Sequence, residues 1–258
     1  MEASEPVDGL AVLHKKLYVL RRRQSDQICV YDTKDYKLQS NISVDGLNAN
    51  CYNDLTECKP ENCLFVSDYR AKCVYKVDAA SGVASKFVDL PNEPKGLSIT
   101  PDGHLLVTCN PNRLIELDTK SGSKLREVEL GLGINFPKHA MKRKDGQYVV
   151  CHAEEGGLHR VCRVEPDGYY RHCFGGLGGS GSDQLNCPCH VALREDNYVI
   201  VADNDNDRLV LLDASLEFVD TLVEKFKEPH RVWFDVDSRR LYVGECTDGG
   251  TVRVYQTK

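Results

Sequence analysis

The sequence predicts an all-β fold: a six-bladed β-propeller with four-stranded antiparallel blades. Three observations carry this. A unit of roughly forty residues recurs six times, each unit holds several short apolar strands bounded by turn residues, and no window sustains a 3.6-residue apolar period.

Each unit begins with a short apolar strand, often after a proline, as in Pro94-Lys-Gly-Leu-Ser-Ile99. A turn follows, such as Pro101-Asp-Gly103 or Lys144-Asp-Gly146, with residues that suit tight hairpins. The second strands align as Leu17–Arg21, Leu64–Asp68, Leu105–Cys109, Tyr148–His152, Val199–Asp203 and Leu241–Glu245. Their last residues advance by 47, 41, 43, 51 and 42 positions. The third strands are Ile28–Asp32, Val74–Asp78, Leu114–Asp118, Val161–Glu165, Leu209–Asp213 and Val252–Gln256. Outer strands are weaker, and are read at Lys37–Ser43, Lys124–Leu130, Tyr169–Phe174 and Phe218–Val223. The blades then span approximately 8–47, 48–92, 93–134, 135–185, 186–227 and 228–258, one domain over 1–258. The last blade lacks an outer strand of its own. Closing the ring with the N-terminal segment, through Glu5–Val7, would protect the exposed edge.

The chain of 258 residues is 41% hydrophobic and 28% charged, a globular balance long enough to bury a real core. Its formal net charge of −6 argues against a uniformly basic nucleic-acid binder, and DNA is not expected as a partner. The N-terminus shows no signal-peptide pattern and no apolar run is long enough to span a membrane. Twelve cysteines are compatible with disulfides, but Cys29, Cys73, Cys109, Cys151 and Cys162 sit within strands, where free cysteine packs as a small hydrophobe. The expectation is a monomeric cytoplasmic propeller with reduced thiols, secretion being the alternative if the thiols are paired.

The segments Val201-Ala-Asp-Asn-Asp-Asn-Asp-Arg-Leu209, Pro94-Lys-Gly-Leu-Ser-Ile99 and the glycine-rich connector Phe174–Pro188 resemble the blades of NHL-repeat propellers. The resemblance is strong in blades two, three and five and looser elsewhere. It implies a six-bladed ring acting as a binding module, such as the substrate-recognition domain of a larger protein, with a protein or peptide on one face. Related propellers include RNA-binding domains and a zinc-dependent peptidyl-amidating lyase, so RNA recognition and metal-assisted lyase or hydrolase chemistry stand as alternatives.

Hairpin geometry puts strand-one starts and strand-two ends at one mouth of the channel. The starts are Gly9, Asp54, Gly96, His139, His190 and Arg231, and the ends are Arg21, Asp68, Cys109, His152, Asp203 and Glu245. A binding face is therefore expected to draw on Arg21, Asp68, His139, His152, His190, Asp203, His230, Arg231 and Glu245. If chemistry occurs there, His152, Glu245 and Arg231 are the catalytic candidates. His139, His190 and His230 are the metal-ligand candidates, for zinc or calcium. His230 follows Pro229 directly whereas His139 and His190 lie one residue later, which would turn them to the other face. Asp203 is equally expected to bond its own turn and pair with Arg208. Basic residues gather at Arg21–Arg23 and around Lys138 and Lys142–Lys144, as an RNA-binding face would need, although a solvated turn explains Arg21–Arg23 as well. Cys187-Pro-Cys-His190 has no second Cys/His pair at finger-like spacing, and Gly175–Gly181 lacks the Gly-Lys-Ser/Thr of a phosphate loop.

Overall fold

The computed structural model describes residues 5–22, 27–48, 53–222, 226–247 and 249–257. Arg23, Cys51, Val223 and residues 1–4 lie outside these. Twenty-three strands form six antiparallel sheets, each a meander in chain order. Blade one holds β1 (Val7–Leu13), β2 (Lys16–Arg21), β3 (Gln27–Asp32) and β4 (Leu38–Ser43). Blade two holds β5 (Leu55–Cys58), β6 (Cys63–Asp68), β7 (Cys73–Asp78) and β8 (Ala84–Asp89). Blade three comprises β9 (Pro94–Ile99), β10 (Leu105–Cys109), β11 (Arg113–Leu117) and β12 (Lys124–Glu129). Blade four comprises β13 (Pro137–Lys142), β14 (Tyr148–Ala153), β15 (Leu158–Val164) and β16 (Tyr170–Leu177). Blade five comprises β17 (Pro188–Leu193), β18 (Val199–Asp203), β19 (Arg208–Leu212) and β20 (Phe218–Leu222). Among the described residues blade six has three strands, β21 (Pro229–Asp235), β22 (Arg240–Glu245) and β23 (Val252–Gln256).

The innermost strands β1, β5, β9, β13, β17 and β21 each pack against the next, and β21 returns to β1. Six apolar clusters fill the six seams between neighbouring blades. The seam between blades six and one is as apolar as the rest, with Val7, Leu10, Val12, Tyr31, Tyr242 and Val252 in one cluster. Among the described residues, the N-terminal segment takes part in closure by packing, and no fourth strand pairs with blade six. Val7 lies against Gly244, where a Cβ would meet the valine side chain at 2.6 Å, and the Arg21 guanidinium donates to the Gly250 and Glu5 carbonyls at 2.6 and 3.1 Å. A meander cannot supply an outer strand that its own blade does not contain, and β1 is already committed to the channel side of blade one.

The thiols are not all free. Cys162 and Cys173 are direct cross-strand partners on β15 and β16 and form a disulfide, whereas the other nine described cysteines are unbridged. No helix among the described residues is long and apolar enough to cross a membrane.

Candidate functional site

Strand pairing brings the expected starts and ends together. Pro137 opposes His152, Pro188 opposes Asp203, Pro229 opposes Glu245 and Val7 opposes Arg21. At each of these four blade starts a bulge follows, so that Gly9, His139, His190 and Arg231 occupy equivalent places one step inside the channel.

The polar strand-two ends are engaged by nearby turns and by side chains of their own or adjoining blades. Arg21 is 1% exposed and serves the seam described above. Asp68 accepts from the Asn48 and Ala71 amides and from Asn48 Nδ2. Asp203 accepts from the Asn186 amide, Asn206 Nδ2 and Arg208 Nε, the last at 2.7 Å, as its turn chemistry predicts. Glu245 accepts from the Lys227 amide and Arg253 Nε. His152 accepts from Arg160 Nε at 3.2 Å, and burial, with Arg160 and His159 beside it, pushes its imidazole down to about 4. The catalytic candidates His152 and Glu245 are thus each engaged inside a different blade.

The starts do converge, and at their centre is Asp54, a start that the expected binding face did not include. Its carboxylate accepts from the Leu55 and Leu97 amides and pairs with Arg231 Nε at 3.1 Å, and His190 Nε2 lies 3.7 Å away. Burial opposes this charge, but Arg231, His190 and His139 outweigh burial and hold the carboxyl well below its ordinary value. The His139 and His190 rings stack at 3.6 Å between centroids, and burial lowers both imidazoles below their ordinary value. Gly96 makes this possible. A Cβ there would meet Lys138 O at 2.6 Å and the His139 ring at 2.9 Å, so blade three contributes room rather than a side chain. Asp54, His139, His190 and Arg231 therefore form a buried plug across the channel.

Among the described residues Asp54, His139 and His190 place one ligand atom each within 4.8 Å of one another. Three ligand atoms at this spacing hold a metal ion only if the two imidazoles converge on it. Ring planes 19° apart and 3.6 Å between centroids direct the imidazole lone pairs side by side rather than to one point. Tetrahedral zinc needs them to converge at about 2.0–2.1 Å. Calcium needs six or more oxygens, and the single carboxylate is already shared by Arg231 and two amides. His230, the third ligand candidate, faces away from this cluster. Its Nδ1 sits 3.2 Å from Val7 O and its ring lies against the Arg231 guanidinium, as its one-residue offset from His139 and His190 implies.

The plug divides the channel. Residues just before the ring positions line one cavity of about 460 Å³, which includes Arg22, Lys95, Lys138, Cys187, Cys189, His230 and Arg231, with Asp205 and Glu228 on its wall. Residues at and beyond the ring line a more apolar chamber of about 180 Å³, including Leu55, Leu97, Val191 and Trp233. The first cavity, the mouth, gathers Lys95 and Lys138 beside Arg22 and Arg231, whose partners are Asp8 and Asp54. Lys95 lies 4.3 Å over the Tyr69 ring, and burial, followed by the cations of Lys138, Arg231 and Arg22, lowers its ammonium to about 8. Lys95, Lys138, Cys189 and His230, each one position before a ring residue, face the mouth. Of the basic runs, Arg22 pairs with the buried Asp8, and Lys142 pairs with Glu116, outside the mouth.

No family model matches the chain, and no curated protein matches it. Several solved structures share its architecture. Virginiamycin B lyase from Staphylococcus aureus, in a structure with quinupristin, is 16% identical with a TM-score of 0.66, over 99% of this chain and 86% of that one. Hydrazine synthase from Kuenenia stuttgartiensis is 14% identical with a TM-score of 0.71, over 100% and 97%. The Swd1 β-propeller domain from Myceliophteria thermophila is 15% identical with a TM-score of 0.66, over 98% and 84%. At this identity the likeness extends to the fold alone.

Proposed function

We propose that the chain is a recognition propeller of the NHL type, and that its channel mouth takes an acidic protein segment or peptide. The observation that supports this is the convergence of Lys95 and Lys138 on one cavity of about 460 Å³. Lys95 and Lys138 come from neighbouring blades and enter one concavity, with Arg22 and Arg231 behind them. The floor is closed by a plug whose charges are already matched, so the mouth favours binding over turnover. Its solved neighbours include both a lyase and a propeller domain, which leaves the choice to the site itself.

Acidic peptide is preferred to RNA because the cations converge in a pit rather than tracking a face, and Asp205 and Glu228 on the wall would repel a continuous phosphate backbone. A labelled hexaglutamate peptide tests the reading by fluorescence anisotropy at low salt. It should bind the wild type, and Lys95→Glu and Lys138→Glu should each weaken it about tenfold or more, near 1.4 kcal/mol. Affinity should also fall as pH rises through 8, because Lys95 then loses the charge that attracts the ligand. Unchanged affinity in both variants would refute the assignment, and tighter binding of a random RNA pool with a steep salt dependence would favour the RNA alternative.

A further inference from the structure

We infer that the mouth is also a site of thiol–disulfide exchange, in which Cys187 attacks an anionic low-molecular-weight disulfide and Cys189 resolves the adduct. The two sulfurs lie 3.6 Å apart, on the same wall of the cavity that holds Lys138. Local backbone explains why both thiols face it. Cys187 has a left-handed φ of 56°, as do Phe136 and Glu228 at the matching places in two other blades, and a bulge follows between Pro188 and His190. Without these, residues flanking Pro188 on an extended strand would not be set so close at the rim. His159 Nδ1 accepts from the Cys187 amide and holds the turn in place.

The two thiols differ as an attacking and a resolving group should. Cys187 is partly exposed, and its bond with Cys189 lowers its thiol below the ordinary value, opposed by burial and by Asp205, with Lys138 a smaller lowering influence. Cys189 is 8% exposed and its thiol is raised well above the ordinary value, first by that same bond to Cys187 and then by burial. Cys246 lines the same cavity, but burial raises its thiol, so it is the poorer nucleophile.

The chemistry balances without a further co-reactant. The Cys187 thiolate attacks one sulfur of the small disulfide, the S–S bond breaks, and the first small thiolate leaves. Cys189 gives its proton to that thiolate and attacks the Cys187 sulfur, expelling the second. The second small thiolate takes from water the proton that Cys187 released on ionising, so the protein dithiol loses two electrons and two protons and the small disulfide becomes two thiols. Because Lys95 and Lys138 flank the sulfurs, an anionic disulfide should be favoured over a cationic one.

The test incubates the native full chain with glutathione disulfide, an anion, or with cystamine, a cation, and maps the modified cysteines by peptide mass spectrometry after acid quenching. In the wild type, a Cys187–Cys189 disulfide should accumulate, about tenfold faster than modification of Cys29 or Cys246. Cys189→Ser should instead trap a stable glutathione adduct at Cys187. Cys187→Ser should leave Cys189 unreacted. Lys138→Glu should slow glutathione disulfide and speed cystamine; since it is a surface change at the mouth, it keeps the test informative if a cysteine variant folds poorly. Modification of Cys187 no faster than Cys29, or equal rates for the two disulfides in wild type and Lys138→Glu, would overturn the inference. Neither outcome depends on whether the peptide reading holds.

Discussion

His152 shows how burial decides a role at the scale of a single residue. At the mouth of a channel it looks like an acid–base group, yet its ring is 1% exposed and held by Arg160 within blade four. Its folded-state value of about 4 lies below the unfolded value of 6.5, so the folded state binds fewer protons. The stability this contributes is present above pH 6.5 and lost as pH falls from there towards 4. By pH 5 the loss is about 2 kcal/mol. Chemical denaturation at pH 7 and pH 5 should show His152→Gln losing less stability between the two than the wild type by about that amount. An identical pH response would mean that His152 is accessible and charged like a surface histidine. Asp54 is the counter-example. Nothing in its local sequence marks it, because its importance comes from Arg231 and Leu97 on other blades, which only closure of the ring brings within reach.

At the scale of strands and blades, the repeat was legible because each second strand is buried and apolar and its spacing is regular. Val201–Leu209 announced its own turn chemistry, and the Asp203–Arg208 pair followed from it. What could not be read was direction at the blade starts. A bulge after Pro137, Pro188 and Pro229 inserts one residue, and a single insertion exchanges the faces of a strand. Lys95 and Cys189, which line the mouth, were therefore passed over in favour of the strand-two ends, which are engaged by nearby turns and side chains. The three-stranded sixth blade has a measurable consequence. In the other blades the third strand is bonded on both sides, whereas among the described residues β23 pairs only with β22. Hydrogen exchange should find the alternate amides of Val252–Gln256 that face away from β22 exchanging far faster than those of β19. Equal protection would show that a fourth strand covers this edge.

Over the whole molecule, the six seams make a rigid ring and the plug makes its two ends unequal. One side of the plug is a cavity that gathers Lys95, Lys138 and two close thiols, and the other is a smaller, more apolar chamber. Such a scaffold presents a fixed concave site and needs no lid, which suits recognition by charge and shape. The most direct test of this account is an experimental structure of the propeller with hexaglutamate bound. The account predicts a glutamate carboxylate within hydrogen-bonding distance of the Lys95 and Lys138 ammonium groups, above an intact Asp54–Arg231 pair. Peptide density on the outer blade edges or in the apolar chamber, with the mouth empty, would contradict it.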